Sequence, residues 1–88
     1  MSAATATMGA MAIVRTPYPQ AARQLLRETL FGAARDELER RAWSEVTMAD
    51  VASAAGVSRQ TLYKEFGNRD EFAQAFVIHE GERFLDGV

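Results

Sequence analysis

Eighty-eight residues allow one small domain whose core supplies little surplus stability. The absence of cysteine excludes a disulfide framework and any thiolate metal site. A net charge of −2 counts against a nucleic-acid partner when averaged over the chain, and no apolar run approaches the ~20 residues a membrane span requires.

Residues 1–19 read as a flexible leader of Ala, Thr, Ser, Met and Gly, closed by Pro17 and Pro19, which mark a boundary. No positive charge precedes Arg15, which argues against a secretory signal, and a cysteine-free chain suits a reducing cytoplasm. Residues 20–41 read as the first helix. Ala22, Leu26, Leu30, Ala33, Ala34 and Leu38 form its apolar stripe, and Asp36 with Arg40 is an i,i+4 pair of favourable polarity. Trp43 follows and packs under the link to the next helix.

The stretch Thr47–Phe66 has the spacing of two short helices crossing through a tight corner, residues 48–55 and 59–66. Thr47 caps the first, with Asp50 at the third position to complete a capping box. Ala52 is small enough to let the two backbones approach. Gly56 supplies the left-handed turn that other residues enter only at ~1 kcal/mol or more. Val57 plugs the corner, Ser58 caps the next helix, and Leu62 and Phe66 turn that helix towards the core. Gly67 is expected as a left-handed cap, and Asn68 with Glu71 as a second capping box opening a fourth helix over residues 68–88. Phe72, Ala75, Phe76 and His79 share one face of it. Val77, Phe84, Leu85 and Val88 fall elsewhere, without partners in a lone domain.

The runs Val46–Ala52, Gly56-Val57-Ser58 and Thr61–Glu71 together resemble the amino-terminal DNA-binding domain of the tetracycline-repressor (TetR) family of bacterial transcription regulators. The capped helix, glycine corner, Leu-Tyr-x-x-Phe helix and Asn-Arg-Asp-Glu restart occur in register, and the likeness covers roughly the last three quarters of the chain. Ala42 departs from the pattern, since relatives often carry Gly there, and the first helix is expected to end differently or run a residue longer. The implied fold is all-α, a three-helix, homeodomain-like helix-turn-helix domain over residues 20–67 plus the start of a fourth helix. Regulators of this kind continue into a larger helical domain that forms a homodimer and takes a small-molecule effector. That part is absent from these residues.

The resemblance implies a double-stranded DNA partner read in the major groove, and most often repression. An eight-residue helix is about 12 Å long and fits that groove. With Leu62 and Phe66 inward, Arg59, Gln60, Thr61, Tyr63 and Lys64 face the DNA. Gln60 can pair with adenine, the Thr61 methyl can meet a thymine methyl, and Arg59 takes either guanine or a phosphate. By resemblance Tyr63 and Lys64 bind phosphates. Thr47, Ser58, Asn68 and Arg69 offer amides and side chains to phosphates on the flanks, beyond the capping that Thr47, Ser58 and Asn68 perform in any case. Arg15 is the leader's candidate for a minor-groove contact. The charges on residues 56–69 are Arg59, Lys64, Glu65 and Arg69, whereas much of the acid lies on solvated faces around residues 36–39 and 80–86.

Two other classes compete. An enzyme lacks support, because the single histidine, His79, has no nucleophile or orienting group converging on it, and neither a phosphate loop nor metal spacing is present. A helical protein-interaction module that does not bind DNA is the stronger alternative. It would expose apolar anchors on the third helix, where this chain has Arg, Gln, Thr, Tyr and Lys.

Overall fold

The computed structural model describes residues 18–86, which form four helices. These are α1 (Tyr18–Leu38), α2 (Met48–Ala55), α3 (Arg59–Phe66) and α4 (Arg69–Asp86), with a 3-10 turn over Trp43–Glu45. The leader before residue 18, Arg15 included, and Val88 lie outside the described residues.

Helix α1 starts before the expected boundary and stops short of it. Pro19 sits inside its first turn, where the missing N–H would have had no acceptor, so proline opens this helix instead of blocking it. At the other end the Glu39 and Arg40 amides donate to the Asp36 and Glu37 carbonyls at 3.2 and 3.0 Å, a tightened i→i−3 turn that replaces the expected run to Arg41. Ala42 is extended (φ −71°, ψ 155°), a conformation alanine enters freely, so no glycine is needed there.

The early end corrects two expectations. Leu38 overhangs the core and is exposed. Arg40 turns back to Glu37 at 2.7 Å, so the Asp36–Arg40 pair does not form: the tightened last turn brings Arg40 onto the i−3 carboxylate instead.

Local chemistry sets α2 and α3. The Thr47 hydroxyl accepts from the Asp50 amide and the Asp50 carboxylate accepts from the Thr47 amide, both at 3.0 Å. Gly56 is left-handed at φ 79°, ψ 23°, and the Val57 amide reaches back to the Ala52 carbonyl at 2.9 Å, which closes the end of α2. Ser58 Oγ accepts from the Thr61 amide at 3.0 Å. Gly67 has positive φ (97°) but ψ −62°, outside the left-handed helical region expected of it. Its amide donates to the Tyr63 carbonyl at 2.7 Å. Asn68 Oδ1 accepts from the Glu71 amide at 2.8 Å. The reciprocal bond of a capping box is not made among the described residues, because the Glu71 carboxylate lies over Gly67 instead.

The core joins Leu30, Phe31, Ala33 and Ala34 of α1 to Val46, Met48, Val51, Ala52, Leu62, Phe66 and Phe72. Phe31 meets Phe66 at 5.5 Å and Phe72 at 5.7 Å between ring centroids, and Phe66 meets Phe72 edge-on at 4.9 Å. Phe31 stands outside the expected stripe yet is buried, because α3 and α4 cover a second side of α1. His79 stacks on Phe31 at 4.5 Å and is a packing residue. Val77, Ile78, Phe84 and Leu85 on α4 are exposed.

Gly56→Ala should cost roughly 1 kcal/mol, read as a fall of several degrees in the thermal midpoint; open space surrounds the position, so the backbone conformation alone is responsible. Phe72→Ala should cost about 3–5 kcal/mol, measured by denaturant unfolding. A smaller loss would mean that the aromatic cluster collapses onto the gap.

Candidate nucleic-acid interface

Helix α3 divides cleanly by face. Leu62 and Phe66 are buried, whereas Arg59, Gln60 and Lys64 are exposed and Tyr63 is 36 % exposed. Thr61 is half-buried, with its hydroxyl 2.9 Å from Ser58 Oγ. Thr47 and Ser58 are exposed at the two helix starts, each with one oxygen lone pair committed to capping. Asn68 is likewise an exposed cap, at the start of α4.

Arg69 joins a different set of partners. Its guanidinium donates to the Trp43 and Val46 carbonyls at 2.7 and 2.9 Å and lies 4.3 Å from the Trp43 ring centroid. These bonds give the side chain a structural role beside the expected phosphate contact: it ties the start of α4 to the α1–α2 link. Two carbonyls and an aromatic face satisfy a planar cation better than open solvent does.

Ion pairs account for the arginines of α1, the turn after it and the far part of α4. Glu65, with its side chain only 7 % exposed, accepts from Arg23 and Arg27 at 3.1 Å each, and Arg27 also lies 4.6 Å from the Phe66 ring centroid. Glu80 takes Arg35 through two bonds, 2.9 and 2.6 Å, and Arg83 at 3.2 Å. Glu37 takes Arg40 and Arg41, and Arg41 also reaches Asp50 at 3.4 Å. Glu37 and Glu80 are thus paired groups and not members of solvated acidic faces as expected. Among the described residues, Arg59 and Lys64 are the cations that take no hydrogen-bond or ion-pair partner, and both stand on α3.

These pairings shift the carboxyls. Burial pushes Glu65 up, but the bonds from Arg23 and Arg27 together outweigh it and leave the group below the usual carboxylate range. Hydrogen bonds from Arg35 hold Glu80 down, and those from Arg41 and Arg40 hold Glu37 down. Asp50 is lowered first by the Thr47 amide of its own capping box.

The sequence reading missed Arg23, Arg27 and Glu65 as a unit. The one available signal was the i,i+4 spacing of Arg23 and Arg27 on α1 with an acid flanking the Leu62–Phe66 face of α3. Among the described residues no group of His, Asp and Glu is arranged to hold a metal ion, and no helix is long and apolar enough to cross a membrane.

Residues 30–76 match the family described as bacterial regulatory proteins, tetR family. Over all 88 residues the chain is 46 % identical to the HTH-type transcriptional regulator AlkX of Mycobacterium tuberculosis, and it spans 41 % of that protein's length.

Arg69→Ala should cost about 1–3 kcal/mol, because it removes a charged donor from two carbonyls, and should red-shift the emission of Trp43, the sole tryptophan. An unmoved spectrum would contradict the tie. Glu65 and Glu80 have lower pKa values folded than unfolded. Their contribution is therefore present above the unfolded value of ~4.3 and lost as pH falls through the depressed folded values. Glu80→Gln should lower the thermal midpoint at pH 7 and flatten its decline below about pH 4.5, with parallel pH curves as the contrary result.

Proposed function

Because this chain belongs to the tetR family of bacterial regulatory proteins, we propose that it is the DNA-reading part of a sequence-specific transcription regulator and not an enzyme. The observation that carries this reading is the distribution of free cations. Six arginines are consumed in ion pairs, whereas Arg59 and Lys64 remain unpaired among the described residues on the outer face of α3. The average charge of −2 therefore misrepresents the one surface that meets DNA.

In this reading α3 enters the major groove. Gln60 reads adenine and the Thr61 methyl meets a thymine methyl, while Arg59 takes a guanine or a phosphate. Tyr63 and Lys64 hold phosphates, and Thr47, Ser58 and Asn68 add contacts at the helix starts, where backbone amides are open to anions. Arg69 fixes the start of α4 and stands beside Asn68 for a phosphate contact there. The exposed Val77, Ile78, Phe84 and Leu85 suit an apolar covering, as the dimer-forming and effector-binding part of such regulators would provide. Two copies would then read a palindrome with recognition helices roughly 34–36 Å apart, and effector binding would change that separation. Repression, the commonest mode in this family, and a cytoplasmic location complete the reading. The same apolar residues favour a protein-interaction module for α4 alone; the polar outer face of α3 speaks against it there.

Fluorescence anisotropy on duplexes from upstream of the chain's own gene, against scrambled competitor at two salt concentrations, tests the reading. Competitor-resistant binding supports it, and equal affinity for both duplexes would move the assignment to the interaction module. Tyr63→Phe should weaken binding to every sequence by about 1 kcal/mol, while Gln60→Ala should change the preference at one base pair by about 1–3 kcal/mol. Unchanged affinity of Tyr63→Phe at both salt concentrations would remove its hydroxyl from the phosphate contacts.

A further inference from the structure

Glu65 lies on the DNA-facing helix itself, which is an unfavourable place for a negative charge unless it performs a task there. It follows Lys64 directly and stands one turn after Thr61, on the flank between the buried Leu62–Phe66 face and the exposed Gln60–Lys64 face. Arg23 approaches it with Nε at 3.3 Å from one oxygen and Nη2 at 3.1 Å from the other. The Arg23 side chain is 68 % exposed, so without Glu65 it would be a free cation beside α3. Arg27 differs, because it also packs over Phe66 and Phe31 and would stay in place.

We infer that Glu65 is a selectivity-determining residue that withholds Arg23 from the phosphate backbone, so that binding depends on the base-reading contacts of α3. The inference rests on the DNA-binding reading above. Non-specific affinity is almost entirely cation–phosphate attraction and grows with each phosphate neutralised. Base contacts do not depend on Arg23. Sequestering it therefore lowers affinity for wrong sequences more than for the right one and widens the ratio between them.

The test uses the full chain and a scrambled duplex of about 30 base pairs, titrated from about 50 to 200 mM salt. Glu65→Gln should bind this duplex roughly three- to tenfold more tightly at the lowest salt, with a log–log salt slope steeper by about one. Arg23→Gln alone should leave slope and affinity unchanged, since Arg23 is already withheld. The double variant should lose the gain of Glu65→Gln. The inference is overturned if Glu65→Gln keeps the parental slope, or if the double variant retains the gain, which would reduce Glu65 to simple repulsion of phosphates. A weaker, shallower Arg23→Gln would also overturn it by showing that Arg23 already touches DNA, and this arm stands even if Glu65→Gln fails to fold. If the unaltered chain binds no duplex at the lowest salt, the DNA reading itself fails; parental binding with an unaltered Glu65→Gln slope strikes only the role of Glu65.

Discussion

The contact of Phe31 with Phe66 and Phe72 joins three helices at one point, and the rest of the structure depends on it. Phe31 comes from the middle of α1, Phe66 from the last turn of α3 and Phe72 from the first turn of α4. With centroids 4.9–5.7 Å apart, the rings fix how α3 rolls and where α4 departs. Arg27 lies over two of the same rings and reaches Glu65, so the ion cluster is anchored to the aromatic core. The outer face of α3 is thereby set by its inner face: with Leu62 and Phe66 seated in the core, Gln60 and Lys64 are turned away from it.

Electrostatics then sharpens what packing has oriented. A chain with slightly more acid than base can still present a positive surface where its unpaired cations stand together. Glu37, Glu65 and Glu80 each hold two arginines, which ties six cations to fixed positions on α1, the turn after it and α4 and leaves Arg59 and Lys64 unpaired among the described residues. The Arg35–Glu80 pair and the His79–Phe31 stack hold α4 to α1, and residues 81–86 are exposed. Movement of that distal part of α4 therefore meets little resistance from the core, whereas movement of its first turn is opposed by Phe72 and by Arg69.

Where the sequence was legible, the deciding interaction lay within one helical turn. Thr47 and Asp50, Ser58 and Thr61, and Asn68 and Glu71 are three residues apart, and in each pair the cap oxygen reaches the amide three residues on, within a single helical turn. Gly56 is legible for the same reason, since its left-handed conformation is a property of the local backbone. The inward placement of Leu62 and Phe66 follows from helical period alone. Even locally, competition between near neighbours defeated the reading: Arg40 chose Glu37 over Asp36 once the helix had ended.

The sequence by itself determined the caps, the corner, the polar outer face of α3 and the family likeness, because each is written in contiguous residues. Tertiary structure alone decided the partners of Glu65, 42 and 38 residues away, and of Glu80, 45 residues from Arg35. It also decided the burial of Phe31 and the turn of Arg69 to the Trp43 and Val46 carbonyls. These depend on how helices cross, and a crossing is fixed by the summed fit of many side chains that no local spacing encodes.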